Sequence, residues 1–443
     1  MRNEKALSLS KVILTMLIAK NNRKERAMNR KNIARKRALV KDCLIFGIDI
    51  GKLWHYVVAL LPSGEFSKPF KFFNNGYGFT ELLNFITSVK QKTGISKVVV
   101  GLESTGHYWE CLAYFLDRHG ISVVQVNPAH TKKAKELLDN SPLKSDPKDS
   151  IVIADLVAQG KFLSFILPKG IYAELRQLTK ARQRLNKELS AAVNTLHSIV
   201  DLIFPELTTI FSNLTSKTVR FLLHNYPRPS DILTKSLETL TILIRRESRG
   251  RVGEDKIRVL YEAAQTSVGI KDGIEQIPTV LAPYLNRIDD LLHHKKQLET
   301  LIVTLVKKLP ETEYLLSLKG FGLITIATIL AEVGGFSGYR NAQGLIKLAG
   351  LNLYRVSSGK YQGIVRITKR GRSILRWILY FAALRQVRQG MPLYDFYCRL
   401  LQRGIPKTKV LIAVACKLLR VAFALVRDRK RYEVDCKSTL VAA

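Results

Sequence analysis

Four carboxylates in the first third of the chain have the types and positions expected of a binding site for a divalent cation. Asp49 and Glu103 stand near the ends of two apolar stretches, FGIDIGK and VVVGLES, and Asp146 and Asp149 lie three residues apart in SDPKD. Four oxygen ligands with no His or Cys favour Mg²⁺ or Mn²⁺ over zinc. Two such ions can stabilise the attacking and leaving oxygens when a phosphodiester is displaced. These residues therefore predict metal-dependent chemistry on a nucleic-acid backbone.

Each of these carboxylates also has an ordinary structural explanation. An Asp after a strand is commonly a turn residue, Glu103 could begin a helix, and SDPKD could be a group of helix-capping residues. Their joint occurrence favours the metal site, because acids are scarce, with 36 Asp and Glu against 71 Lys and Arg. Clustered carboxylates would repel one another and bind protons unless a cation were present.

The segments that must position these carboxylates alternate between strand and helix over residues 42–170. LIFGIDIG, KVVVGLE and ISVVQVNP have the content of buried strands, whereas YGFTELLNFITSVKQKTG has helical spacing. The order β-β-β-α-β-α-β predicts an α/β domain with one mixed sheet, whose ligand sites collect at the carboxyl ends of strands. On a helix with Pro147 in its first turn, Asp146 and Asp149 share one face.

The rest of the chain is predicted to be helical. Residues 171–309 have the spacing of a coiled-coil arm with a helical insertion, and a second long helix is expected to start near Pro283. Residues 310–443 are predicted to form an all-α C-terminal domain. Gly320 and Gly322 lie between two helices in a pattern similar to a helix-hairpin-helix, whose backbone N–H groups bind phosphate. A tight glycine turn in an ordinary bundle explains the same string almost as well.

The charge of the chain indicates a polyanionic partner. The formal net charge of the 443 residues is +35, and neutralising phosphates releases counterions. Residues 1–41 hold 13 Lys and Arg against two Glu and are predicted to be a flexible basic arm. Residues 316–443 hold 23 Lys and Arg against five acids. A ribosome-like or merely basic protein stays possible on charge alone.

The cysteines and the hydropathy pattern indicate where the protein works. The five cysteines form no CxxC motif and no paired Cys/His spacing, which argues against zinc and disulfides and suits a reducing cytosol. KVILTMLIAK is about half as long as the roughly 20 apolar residues of a spanning helix. We therefore expect a cytoplasmic protein with no membrane partner.

The carboxylate motifs resemble those of a known family. Asp49, Glu103 and the string Lys144-x-Asp146-x-x-Asp149 are similar to the DEDD tetrad of insertion-sequence-110-type transposases. LKGFGLITIATILAEVGGFSGYRNAQGLIKLAGLNLYRVSSGKYQGIVRITKRGRSILRWIL resembles the C-terminal transposase domain of that family. The resemblance implies a RuvC-like RNase H fold for the first domain. It also implies a DNA recombinase that inserts and excises its own element.

The resemblance further implies a serine nucleophile in the C-terminal domain, activated by the metal ions of the DEDD site. The matching stretch is Ser357-Ser358-Gly359, in which Ser358, directly before Gly, is the better match and Ser357 the reserve. Leu353 stands where family members often have Pro, so the choice between the serines stays open. A polar loop between helices is the alternative explanation of this stretch.

The family resemblance also implies a bacterial, nucleoid-associated protein and its partners. They are double-stranded DNA (the element ends and the target), an element-encoded guide RNA, and further copies of the chain in a homodimer or homotetramer. Residues expected to contact nucleic acid are basic or lie at the glycine turn: Lys144, Gly320, Gly322, Lys360, Arg366, Lys369, Arg370, Arg372 and Arg376.

Two other functions stay open. One is a metal-dependent, RuvC-like junction nuclease in which water attacks and the serines are incidental. The other is a non-catalytic nucleic-acid-binding protein, for which Asp49→Asn and Glu103→Gln would change nothing. A third alternative, an actin-like or sugar-kinase-like ATPase, also begins with IDIG, but the chain lacks the second Asp-x-Gly strand of those enzymes.

Overall fold

The computed structural model describes residues 31–103, 106–139, 146–164, 167–354, 357–358, 361–363 and 365–433. The chain divides into two compact units, Met1–Leu167 and Pro168–Ala443. The first is a mixed α/β unit and the second is rich in helix, which confirms the predicted class at this level. The finer division at residues 41, 170 and 309 stays a prediction.

The first unit contains six strands and five helices among its described residues. They are α1 (31–40), β1 (Leu44–Ile50), β2 (Trp54–Leu60), β3 (Phe70–Phe73), α2 (Gly76–Thr93), β4 (Val98–Glu103), α3 (Trp109–Arg118), β5 (Ser122–Val126), α4 (Pro128–Asp139), α5 (Asp146–Ala158) and β6 (Leu163–Ser164).

The strands form one sheet in the order β3-β2-β1-β4-β5-β6. β1, β4 and β5 run parallel, and β2, β3 and β6 are antiparallel to their neighbours. Successive side chains of a strand point to opposite faces. Phe46 and Ile48 therefore pack on one face, against buried side chains of α2 and α3. Ile45 packs on the other face, in the cluster that contains Val152 and Ile153 of α5.

Two glycines let α5 lie directly on the sheet. Gly47 and Gly101 are register partners on β1 and β4. A Cβ at Gly47 would overlap the carbonyl oxygen of Ser150 and approach the nitrogen of Ala154 to 2.5 Å. Because glycine has no side chain, the helix that carries Asp149 can approach these strands closely.

We predict that Gly47→Ala destabilises the first unit by about 3 kcal/mol, because the backbone of α5 must shift to make room for the methyl group. Thermal unfolding of the variant measures this. Gly76→Ala is the matched control, because a Cβ at the first residue of α2 meets no atom within 4 Å. Equal stability of the wild type and Gly47→Ala would show that α5 does not need this close approach.

Part of the predicted basic arm is a packed helix. Residues 1–30 lie outside the described residues, but 31–40 form α1. Val40 is buried, the ammonium of Lys36 donates to the carbonyl of Phe162, and Arg37 Nε donates to Gln159 O over 2.9 Å. The prediction of a flexible arm is therefore wrong for residues 31–40, because an apolar anchor and two basic side chains fasten this helix to the segment after α5.

The second unit contains thirteen helices and four short strands among its described residues. They are α6 (Ile171–Ile203), α7 (Pro205–Ile210), α8 (Lys217–Asn225), α9 (Pro229–Leu233), α10 (Leu237–Ser248), α11 (Glu254–Gln265), α12 (Ile277–Val306), α13 (Glu311–Leu316), α14 (Leu323–Val333), α15 (Ala342–Leu348), β7 (Leu353–Tyr354), β8 (Ser357–Ser358), β9 (Tyr361–Gln362), β10 (Arg366–Ile367), α16 (Ser373–Arg385), α17 (Tyr394–Gln402) and α18 (Lys407–Asp428).

The two longest helices, α6 and α12, pack side by side and run antiparallel. Arg182 of α6 pairs with Glu299 of α12, whereas Glu188, further along α6, pairs with Arg287, earlier on α12. At one end the two helices share a hydrophobic core with α7, α8, α10 and α11, and at the other end they share a second core with α13–α18. Helices α7–α11 lie between α6 and α12 in the chain, while the division into a supercoiled arm and an insertion stays a prediction.

Two details of the second unit differ from the sequence predictions. α12 starts at Ile277, and Pro283 lies inside it rather than in its first turn. The C-terminal region is not all-α, since β7 pairs with β10 and β8 pairs with β9. Strands of two residues carry too few side chains to show an alternating pattern, which is why the sequence suggests only a loop there.

Candidate functional site

Asp49 and Glu103 lie at the carboxyl ends of neighbouring parallel strands. The register of β1 and β4 pairs Ile48 with Leu102, so the next residues, Asp49 and Glu103, stand side by side. Both are half-buried. By alternation they face the same side of the sheet as Gly47, which is the side that α5 covers.

The N-terminal turn of α5 brings Asp149 to the same edge. Ser150 Oγ accepts the backbone N–H of Asp49 over 3.3 Å and donates to the carbonyl of Tyr56 over 2.8 Å. This side chain therefore joins α5 to β1 and β2 beside Asp49. Asp149 is buried, at 6 % exposure, and the helix dipole favours negative charge in a first turn.

Three of the four predicted carboxylates thus belong to elements that meet at one edge of the sheet. Asp146 is the first residue of α5, so its backbone begins the same turn, but its side chain lies outside the described residues. Lys144 lies outside them altogether. Among the described side chains, no group of three or more His, Cys, Asp and Glu is arranged to hold a metal ion. The metal site therefore stays a prediction.

Lys135 is a member of this site that the sequence did not reveal. Its ammonium, on α4, forms an ion pair with Asp149 Oδ1. Asp149 Oδ1 is buried, and the Lys135 ammonium is the counter-charge that lies against it. A buried carboxylate oxygen that a cation already neutralises fits the donor set of a divalent cation. No motif marks Lys135, since its role depends on how α4 packs on α5.

We predict that Lys135→Met lowers the free energy of unfolding of the metal-free protein by about 1–3 kcal/mol, because it leaves a buried carboxylate without its counter-charge. Urea unfolding in the presence of EDTA measures the effect. Lys132→Met, an exposed lysine on the same helix, is the control and should change stability little. Indistinguishable unfolding of the two variants would mean that Lys135 does not stabilise Asp149.

His55 holds the turn that follows β1. The backbone N–H of Gly51 donates to His55 Nδ1 over 3.2 Å, and the ring packs against Phe72 and Phe79. Burial lowers the pKa of His55, an effect that a side-chain hydrogen bond with Asn74 partly offsets. The imidazole is therefore neutral at pH 7 and can accept this hydrogen bond.

The two candidate serines form a short strand in the second unit. Ser357 and Ser358 make up β8 and pair with Gln362 and Tyr361 of β9. Their side chains, and the connecting residues that include Lys360, lie outside the described residues. The carboxylates and the serines thus belong to different compact units.

The structure separates the predicted basic cluster into two groups. Arg366, Lys369 and Arg370 are exposed. Arg376 donates to Ala349 O over 2.9 Å and to Lys369 O, and Arg372 donates to the backbone carbonyl of a buried residue of α14. Arg372 and Arg376 thus bind backbone carbonyls of the protein, and phosphate contact by the exposed group stays a prediction.

The residue that Arg372 contacts is Glu332, which is 2 % exposed. Its Oε2 lies 3.9 Å from Arg372 Nε, and Oε1 is buried without a hydrogen-bond partner. Burial raises the pKa of the neighbouring Tyr339 hydroxyl, although the charge of Arg372 lowers it. Arg372 thus joins the basic loop to α14 through the backbone carbonyl and the carboxylate of Glu332, a contact that periodicity alone could not show.

The glycine turn is built into the second core. Gly320 has φ of +95°, and a Cβ there would lie 2.6 Å from Gln386 Nε2. Gln386, which is fully buried, donates to Lys319 O, and Arg385 donates to Gly320 O over 3.1 Å. Gly322 is the N-cap of α14. The positive φ and the contact with Gln386 thus explain why residue 320 is a glycine. Phosphate binding at this turn stays a prediction.

Two family models match the chain, in the order of its two halves. Residues 46–205 match a model described as "Transposase", of the DEDD type named for IS110. Residues 312–398 match the "Transposase IS116/IS110/IS902 family". Together the matches cover more than half of the chain, and the class they define is that of a transposase.

Individual relatives agree with these models. The chain is 26 % identical over 399 residues to the "Insertion element IS116 uncharacterized 44.8 kDa protein" of Streptomyces clavuligerus, covering 88 % of this chain and 96 % of that one. It is 22 % identical over 369 residues to the "Pilin gene-inverting protein" of Moraxella bovis, covering 82 % and 89 %. The chain belongs to the IS110-type DEDD transposase family, as the resemblance of its motifs implied. No helix in the described part of the chain is long and apolar enough to span a membrane.

Proposed function

We propose that the protein cuts and rejoins DNA strands at the ends of an insertion sequence, with carboxylates from the first unit and a serine from the second. The observation that carries this is the placement of Asp49 and Glu103 on neighbouring strand ends beside the turn that holds Asp149. The sheet, an antiparallel β1-β2-β3 meander followed by two strands parallel to β1, supports the RuvC-like RNase H assignment.

The donor set suits a divalent cation, Mg²⁺ or Mn²⁺, held by Asp49, Glu103, Asp146 and Asp149. Such an ion, when bound, supplies positive charge that stabilises the attacking and leaving oxygens of a phosphodiester displacement. The chain itself contributes the rigid edge of the sheet, the N-terminal dipole of α5 and the anchoring hydroxyl of Ser150.

The nucleophile in this proposal is the hydroxyl of Ser358, with Ser357 as the reserve. Its oxygen attacks phosphorus and replaces one ester oxygen, its proton passes to a base or to solvent, and one DNA hydroxyl leaves. Because the phosphoserine ester conserves the energy of the broken linkage, a second DNA hydroxyl can attack it and rejoin the strands without ATP.

One relative favours strand transfer over hydrolysis. The Moraxella protein is named for inverting a pilin gene, and an inversion is complete only when every cut strand has been rejoined. A junction nuclease that used water would leave free ends, and another enzyme would have to seal them.

The proposal includes an element-encoded guide RNA and an assembly of two or four copies of the chain. Family resemblance supports the RNA, as do the basic residues of the second unit. Strand exchange requires at least two cutting sites, which supports a dimer or tetramer in which the serine of one copy meets the carboxylates of another.

A strand-joining assay tests this function. Purified protein is incubated with DNA that carries the element ends and a target, in Mg²⁺ or in EDTA. Each reaction is run with and without RNA transcribed from the non-coding part of the element. Joined strands that appear only with Mg²⁺ support the proposal, and their dependence on the RNA decides whether a guide is used. Cut ends without joining would identify a nuclease. Binding without any cutting, unchanged by Mg²⁺, would identify a non-catalytic protein.

The two groups of basic residues should respond differently to substitution. Replacing the exposed pair, Lys369→Asn and Arg370→Gln, should weaken DNA binding and reduce the slope of log affinity against log salt by roughly two, one per lost phosphate contact. Asn tolerates the left-handed backbone at Lys369, whose φ is +53°. Fluorescence anisotropy at several salt concentrations measures the slope.

Arg376→Gln is the contrasting variant for this experiment. It should lower the unfolding temperature, because the two carbonyls it satisfies lose their donor. A salt slope that does not change in the Lys369/Arg370 double variant would remove these residues from the DNA interface.

A further inference from the structure

Two aromatic rings are partly exposed at the edge of the sheet in the first unit. Trp54 begins β2 and Phe73 ends the edge strand β3, and their ring centroids lie 3.8 Å apart at an interplanar angle of 34°. The two residues are 37 % and 41 % exposed. The ammonium of Lys71 lies 4.0 Å from the centroid of the Trp54 ring and 5.6 Å from that of Tyr56. Surface aromatic pairs capped by a cation have the composition of a site that stacks nucleobases.

The register of the sheet places these residues next to the carboxylates. Asp49 pairs with Tyr56, Tyr56 pairs with Lys71, and Trp54 pairs with Phe73. Paired residues share a face, so Trp54, Lys71 and Phe73 lie on the same face of the sheet as Asp49. Trp54 and Phe73 form the adjacent row, at the carboxyl end of β1. With strands about 4.8 Å apart, Lys71 is two strands, or roughly 10 Å, from Asp49.

We infer that Trp54, Phe73 and Lys71 form a platform for one unpaired base of the DNA or RNA strand whose phosphate lies at the carboxylates. This inference rests on the proposed function and adds a subsite to it. Ten ångströms is a distance that one or two nucleotides cover. The base stacks on the Trp54 ring in the place of the Lys71 ammonium, which then pairs with the neighbouring phosphate.

A nucleobase suits this surface better than a second protein chain does. An ammonium over the rings, with Lys52 exposed in the preceding turn, complements an anionic strand. Stacking is also tolerant of sequence, because every base has a π face.

Binding of short single-stranded oligonucleotides to the full-length protein tests the platform. A 12-mer with one abasic site is moved through successive positions, and affinity is measured by anisotropy for the wild type, Trp54→Ala and Trp54→Phe. We expect the wild type to lose about tenfold in affinity at one abasic position, as is typical for one stacked base. Trp54→Ala should bind the intact strand about tenfold more weakly and show no abasic effect. Trp54→Phe should retain most of the affinity because it keeps a ring.

Phe66→Ala is the matched control. Phe66 is also 37 % exposed, but it lies beside Leu60, at the opposite end of β2, and its loss should leave affinity unchanged. Unfolding temperatures show that each variant is folded. If Trp54→Ala and Phe66→Ala bind like the wild type, the platform is refuted. A loss of self-association in Trp54→Ala, without a change in affinity, would also refute it and would identify a contact between copies of the chain.

Asp49→Asn separates this inference from the proposed function. The variant should keep the abasic pattern, because the platform binds without chemistry, while losing strand cleavage. If Asp49→Asn cleaves normally, the proposed active site fails even where the platform is confirmed. If it loses cleavage and the wild type shows no abasic effect, the platform fails and the active site stands.

Discussion

Asp49→Asn is expected to lower Mg²⁺-dependent cleavage of an element end at least about 10³-fold, while DNA affinity stays within a few-fold of the wild type. The amide has the shape of the carboxylate but lacks its charge, and a loss of some 4 kcal/mol in transition-state stabilisation corresponds to that factor. Because Asp49 is only half-buried at a strand end, the fold should tolerate the change. Single-turnover cleavage of a labelled element end measures the effect.

Asp155→Asn is the control for this variant. Asp155 is a half-buried carboxylate on α5, the helix that carries Asp149, and it accepts a hydrogen bond from Gln159. Its replacement should leave cleavage unchanged. If Asp49→Asn cleaved at the wild-type rate, the strand-end carboxylates would be structural and the protein would need another active site.

Ser358→Ala is expected to abolish strand transfer, with a residual rate at least about 10⁴-fold below the wild type, because removal of a covalent nucleophile leaves no route to the phosphoserine ester. Binding of DNA and of Mg²⁺ should persist, since the carboxylates belong to the other unit. Gel-based assays of joined product measure the rate.

Ser357→Ala is the neighbouring comparison. If Ser357→Ala is the inactive variant, the reserve residue is the nucleophile. If both variants and the double variant join strands normally, the serine mechanism is wrong.

The strands that carry Asp49 and Glu103 could be predicted because each is a continuous apolar run. Their adjacency follows from a parallel sheet, in which strand ends meet at one edge. Pro147 fits the first turn of the helix that carries Asp146 and Asp149, and Gly47 and Gly101 supply the close approach that periodicity does not express. The sequence was therefore informative where local pattern determines position.

Contacts between distant segments could not be predicted in this way. The ion pair of Lys135 with Asp149 depends on the packing of α4 against α5. In the basic loop, composition suggested five equivalent phosphate contacts, but buried Glu332 and the carbonyl of Ala349 engage Arg372 and Arg376. A basic residue that satisfies a buried partner cannot be told from one that meets solvent by its spacing alone.

In the proposed reaction, carboxylates and a serine from different units act on one phosphodiester. Detection of a covalent protein–DNA adduct is the sharpest test of this reaction. The wild type is incubated with a labelled element end in Mg²⁺, denatured and digested, and the modified peptide is identified by mass spectrometry. We expect a DNA phosphate on Ser358, or on Ser357, that is absent in EDTA and absent in Asp49→Asn. Efficient Mg²⁺-dependent cleavage with free ends and no modified serine would contradict it.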